Sequence, residues 1–118
     1  MAQVGCRLEG AMSSALEDTF AFQLDALGLT GYTREVACIP GRRFRFDFAY
    51  TAPNQRLLIE VQGGTWQKGA HSSGTGLERD MEKLCLATLS GWRVMQFSRK
   101  MIESGEAVEI VRKALGGE

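Results

Sequence analysis

Asp47 stands in the middle of an aromatic-rich stretch, residues 44–50, and Glu60 stands near the end of an apolar one, residues 56–62. Charged side chains are seldom fully buried unless something pairs with them. A short link over 51–55, with Pro53-Asn54, predicts a hairpin between the two stretches, which lets both carboxylates face one side of a sheet. At about 4 Å and an effective dielectric near 20, two such charges repel by about 4 kcal/mol. A proton, an arginine or a divalent cation relieves that repulsion. Arg45, one pleat from Asp47, is the nearby answer, and a hard cation is the alternative. Period-two spacing puts Glu60 and Gln62 on one face, while the Val61 carbonyl points sideways as a further oxygen ligand. His71 is the only histidine, and the three cysteines, Cys6, Cys38 and Cys85, show no CxxC spacing. A metal here would be held mainly by carboxylates and carbonyls, which suits magnesium, manganese or calcium.

The elements that must position these groups are readable from pattern. Ser14 and Glu17 form a capping box, and Leu16, Phe20, Leu24 and Leu27 recur at helical spacing until Gly28 closes the helix. Residues 1–12 show no periodicity and read as a flexible lead-in to a single domain over 13–118. Strands are predicted over 32–39, 43–50 and 56–62. The second alternates, with Phe44, Phe46, Phe48 and Tyr50 on one face and Arg43, Arg45, Asp47 and Ala49 on the other. The third is an apolar run suited to a central strand covered on both faces. Residues 63–76 hold five glycines in a long polar loop, and loops of that length in compact domains are commonly functional or disordered. A helix over 77–90 carries Leu77, Met81, Leu84 and Thr88 on one stripe, with Asp80, Lys83 and Ala87 beside it. A strand over 92–97 and a helix over 107–115 close the chain. The order α-β-β-β-α-β-α predicts an α/β fold, a mixed sheet flanked by helices on both faces.

Length and charge bound the function. With 118 residues and 44% hydrophobic content the chain is one ordinary globular domain. Its 14 basic and 14 acidic residues cancel, which excludes a uniformly basic coat protein. The charges are segregated: residues 1–31 carry one basic and four acidic residues, 32–100 eleven and six, and 101–118 two and four. That positive middle is compatible with a polyanionic partner. No apolar run approaches the roughly 20 residues of a membrane helix, and no signal-peptide pattern opens the chain. The expectation is a cytoplasmic protein with reduced cysteines and no membrane partner.

An Asp followed, after a short hairpin, by Glu60-Val61-Gln62 resembles the skeleton of the PD-(D/E)XK nuclease superfamily. The later string strengthens the likeness: Gly63-Gly64-Thr65-Trp66, His71, Glu78-Arg79-Asp80 with Lys83, and Gly91-Trp92-Arg93-Val94 with Phe97. Together these resemble small phage-type endonucleases and the very-short-patch-repair and related restriction-like families, over about residues 14–115. The resemblance implies a restriction-endonuclease-like fold and magnesium- or manganese-dependent cleavage of DNA phosphodiesters, including branched, repair or recombination intermediates. Asp47 and Glu60 are then metal ligands with the Val61 carbonyl, and Glu17 completes the acidic cluster, although its place in the capping box is the plainer reading of that residue. Gln62 stands where the superfamily usually has lysine. An amide orients water only by hydrogen bonds, so Lys68 or Lys83 is the candidate source of the missing positive charge. By the same resemblance His71 serves as an acid or phosphate contact, and Asp80 and Lys83 face the site. Lys68 and Trp66 in the loop, with Arg42, Arg43 and Arg45, are candidate contacts to the nucleic acid. For any one arginine, a solvated sheet edge balanced by Glu35 and Asp47 is the plainer reading. The rival reading is a catalytically inactive module that binds DNA or another protein within a larger recombination complex. A homodimer is compatible with either.

Overall fold

A computed structural model describes residues 7–8, 14–62 and 74–116. The elements in chain order are β1 (Arg7–Leu8), α1 (Ala15–Ala26), β2 (Thr33–Ala37), β3 (Phe46–Tyr50), β4 (Leu57–Gln62), α2 (Gly74–Leu89), β5 (Arg93–Ser98), α3 (Arg99–Glu103) and α4 (Glu106–Ala114). The strands form one sheet in sequence order, antiparallel from β1 to β4, with β5 parallel to β4. The parallel pair requires a crossover, and α2 supplies it. Two short elements escaped the pattern reading. β1 falls in the stretch read as a lead-in, where two residues are too few to show alternation. α3 is a single turn and a half, capped by Ser98, whose Oγ accepts from the Met101 N–H at 3.2 Å.

The core lies on both faces of the sheet. Under α1, α3 and α4, Phe48, Tyr50, Leu57 and Ile59 meet Phe20, Leu24, Phe97, Ile102 and Val111. Phe20 packs edge-on to Phe48 and Phe97, with ring centroids 5.4 and 5.6 Å apart. Under α2, Val36, Phe44, Phe46, Ala49 and Leu58 meet Ala87 and Trp92. Leu57, Leu58 and Ile59 are each fully buried, as expected of a central strand. Among the described residues no helix is long and apolar enough to cross a membrane.

Three expectations are corrected. The four aromatics of residues 44–50 do not share a face: Phe44 and Phe46 lie on the α2 side, Phe48 and Tyr50 on the α1 side. The strand proper begins at Phe46, so the alternation breaks between Phe46 and Phe48, where Asp47 sits. On α2, Leu77 and Met81 are exposed, and the helix packs through Ala87 with Leu86 against it. Leu27 is likewise exposed at the end of α1. Apolar spacing marks a helix but does not say which stripe the sheet covers. Finally, Cys38 is disulfide-bonded, while Cys85 is free and exposed. Strand pairing rather than local spacing decides which sulfurs can meet.

At one end of the crossover, arginines tie the connections together. Arg56 donates to the Gly91 carbonyl at 3.1 Å and the Ser90 carbonyl at 2.7 Å, and its guanidinium lies 4.2 Å from the Trp92 ring centroid. Gly91 has φ 90°, and a Cβ there would come within 3.5 Å of that guanidinium. Arg93 donates to the Gln55 carbonyl at 2.7 Å and to the Ala114 carbonyl at 3.1 Å. These bonds sit where β4 and β5 begin. The acidic residues sit where β4 ends.

Candidate metal centre

Glu17 comes from the first turn of α1. Ser14 caps that turn, its Oγ accepting from the Glu17 N–H at 3.1 Å. The Glu17 carboxylate joins a cluster beneath the sheet, so the residue belongs both to the cap, through its backbone, and to the acidic group, through its side chain. Glu35 comes from the middle of β2. Its φ is 54°, a left-handed conformation that non-glycine residues seldom adopt. The pairs Thr33↔Ala49, Arg34↔Phe48 and Val36↔Phe46 keep one offset on both sides of it, which sets Glu35 across from Asp47. Asp47 lies at the break in β3. The β3–β4 pairs Tyr50↔Leu57, Ala49↔Leu58 and Phe48↔Ile59 end one residue short of Asp47, whose carboxylate feels the charge of Glu60.

Glu17, Glu35 and Asp47 are all buried, at 8%, 7% and 7% exposure, and one carboxylate oxygen of each lies within 4.8 Å of the others. Burial and mutual repulsion act together here. Loss of water, with Glu35 and Asp47 close by, pushes the Glu17 carboxyl up to about 8. Burial also raises Asp47, and Glu35 and Glu60 add to the rise. The Val61 N–H, which donates to Asp47 Oδ2 at 2.7 Å, and the Arg45 charge oppose it. In extended backbone a residue's N–H and C=O point to the same side, so the Val61 carbonyl is directed to the Asp47 edge as well. Countercharge comes from two arginines. Arg45 Nη1 lies 2.9 Å from Glu35 Oε1, with Nη2 3.9 Å from Asp47 Oδ1. Arg34 Nη2 is 3.8 Å from Glu17 Oε1 and bonds Asp18 at 3.0 Å. Carboxylate oxygens at these separations match vertices around one hard cation with bonds of about 2.1–2.5 Å. The donor set fits magnesium, manganese or calcium.

Glu60 is arranged differently. Lys83, from α2, forms an ion pair with Glu60 Oε2 and donates to the Arg45 carbonyl at 2.6 Å, with its ammonium 4.4 Å from the Phe46 ring centroid. Gln96 Nε2 donates to Glu60 Oε1 at 3.2 Å. The residues anticipated from sequence therefore converge in part. Asp47, Glu60, Lys83 and Glu17 meet around the Phe46–Asp47 break. Gln62 is exposed at the end of β4, level with Ser98 of β5. Asp80 is exposed on α2. Arg42 grips Glu82 through two bonds of 2.8 and 3.1 Å and lies 4.5 Å from the Phe44 ring centroid, while Arg43 is exposed. Trp66, Lys68 and His71 lie outside the described residues.

The sequence reading missed Glu35, which it had placed on a solvated edge as a balance for arginines. The structure buries it. The available signal was the one that had drawn attention to Asp47, a carboxylate central in a strand; what sequence does not carry is the strand offset that sets the two opposite each other.

No family profile and no curated protein matches the chain. Among solved structures the chain is similar to the catalytic domain of the homing endonuclease I-Bth0305I, with 20% identity over 86% of this chain and 94% of that one, and a TM-score of 0.62. The likeness shows a shared nuclease-like fold.

Proposed function

We propose that this protein is a divalent-metal-dependent endonuclease that hydrolyses DNA phosphodiester bonds, with a PD-(D/E)XK-type active site. The observation that carries the reading is a group of three buried carboxylates, Glu17, Glu35 and Asp47, within 4.8 Å of one another, on a fold similar to an endonuclease catalytic domain. Magnesium or manganese would be held by Asp47 with Glu17, the Val61 carbonyl and Glu60. When bound, such an ion lowers the pKa of its water and offsets charge on the phosphate and the departing oxygen.

The chain's own residues divide the remaining work. Val61 N–H holds Asp47 Oδ2 in place, and Arg45 Nη2 lies 3.9 Å from the other oxygen, Oδ1. Lys83 supplies, from α2, the positive charge that Gln62 lacks, and its bond to the Arg45 carbonyl anchors it beside Glu60. Gln62, exposed beyond Glu60, orients water by hydrogen bonds. His71 and Lys68 act as acid and phosphate contact, and Asp80 faces the bound strand from α2. Arg42, Arg43, Arg45 and Trp66 hold the DNA backbone, which gives affinity without base reading. Branched or repair intermediates are the favoured substrates, and a two-fold dimer would suit paired cuts.

One observation favours a second reading. Lys83 already neutralises Glu60, and Gln62 replaces the usual lysine, an arrangement that a DNA-binding module without catalysis would tolerate. Cleavage of duplex, single-stranded and branched DNA with magnesium or manganese separates the two. Asp47→Ala should lower cleavage by more than about a hundredfold, since each 1.36 kcal/mol is a factor of ten, and leave the far-ultraviolet spectrum unchanged. Equal cutting by Asp47→Ala and the unmodified protein would exclude this active site, and a protein that binds DNA without cutting any form would support the second reading.

A further inference from the structure

Glu35 lies outside the Asp47…Glu60-x-Gln62 skeleton on which the nuclease reading is built. We infer that Glu35 is a direct ligand of the divalent cation, forming a three-carboxylate site with Glu17 and Asp47. The inference rests on the nuclease reading for the presence of a cation and adds the residue that the skeleton omits.

Burial gives the first reason. Glu35 is more than nine-tenths buried, and its Oε2 has no hydrogen-bond donor among the described residues. A buried carboxylate oxygen without a donor is costly to keep. Arg45 reaches the other oxygen, Oε1, and leaves Oε2 over. Direction gives the second. The Glu35 carboxylate lies within 4.8 Å of those of Glu17 and Asp47, so it points into the acidic group rather than out to solvent. An arrangement that only balanced Arg45 would have no need to bring it there, since Arg45 is 40% exposed and reachable from the surface. The backbone agrees with this placement: φ 54° sets Glu35 opposite Asp47 in a conformation that glycine would adopt with less strain.

The test is titration of the full chain with manganese(II) alone, by calorimetry, with thermal unfolding measured with and without the ion. Glu35→Gln should weaken manganese binding by more than about tenfold and shrink the rise in melting temperature that the ion produces. Without metal it should melt no lower than the unmodified protein, because a repelling charge has been removed. Glu35→Gly suits the left-handed backbone and also lacks the carboxylate, so it should lose affinity equally while still folding. A structural partner of Arg45 would behave in the opposite way: Glu35→Gln would melt lower without metal and bind manganese unchanged, and that result overturns the assignment. If Asp47→Ala abolishes binding and both Glu35 variants retain it, the Glu35 assignment alone falls. If the unmodified protein binds no manganese, the nuclease reading falls with it.

Discussion

Asp47 lies on a strand flanked by two others that each carry an acid, Glu35 on β2 and Glu60 on β4, and the two acids are treated in opposite ways. Glu60 meets a lysine, an amide and an aromatic face that all belong to this chain. Glu35 and Glu17 meet chiefly each other, with arginines approaching single oxygens. Burial alone does not distinguish a structural acid from a binding one. The two sides differ in how much countercharge reaches each acid. On the Glu60 side the fold supplies a full ion pair, which holds Lys83 beside the acid. On the Glu35 side arginines approach single oxygens of acids that lie within 4.8 Å of one another.

The largest effect expected on the compensated side comes from Lys83→Met. It keeps the volume beneath Phe46 but leaves Glu60 with only the Gln96 amide and no countercharge, and should cost about 2–3 kcal/mol in urea unfolding. Adding Glu60→Gln should recover most of that loss. If the double variant is no more stable than the single one, Glu60 and Lys83 are not a coupled pair and the contrast drawn here is wrong.

On the uncompensated side the sensitive variable is pH. The folded-state pKa of Glu17, about 8, stands above its ordinary value of 4.5, so the folded protein binds more protons than the unfolded chain between those limits. Stability of the metal-free protein is therefore greatest below about 4.5 for this group and declines as pH rises towards 8. Asp47, also raised, adds a contribution of the same sign. Glu17→Gln should flatten the decline in melting temperature over this range, and saturating manganese should do the same by replacing the proton. A slope unchanged by both would show that the acids are not coupled.

The smallest effect lies away from both. Arg42→Ala breaks an exposed, salt-screened pair with Glu82 and should leave the melting temperature nearly unchanged. If Arg42 contacts a phosphate, the same variant lowers the salt dependence of DNA binding by about one unit of slope.

The legibility of these features in the sequence follows from the range of the forces involved. Helix α1 was readable because each of its ends is marked locally, the start by the Ser14 cap on the Glu17 N–H and the stop by Gly28, which adopts a left-handed φ of 75°. The central position of β4 was readable because Leu57, Leu58 and Ile59 leave no polar face. The placement of Asp47 and Glu60 on neighbouring antiparallel strands was legible because a short link joins those strands. Glu35 was not, because its partner is reached through a different strand pairing and its backbone conformation carries no residue signature. The division of the aromatics was hidden for a related reason. Strict alternation in sequence guarantees alternating faces only in a regular strand, and this strand is irregular at the residue that carries the charge.

The arginine bonds around Gly91 and Gln55 bear on how such a molecule tolerates its own repulsion. They fasten the starting ends of β4 and β5, whereas the like charges crowd the opposite end of the same sheet. The register of the parallel pair is thus anchored by side chains at the end remote from the charges and by backbone pairing as far as Gln62 and Ser98.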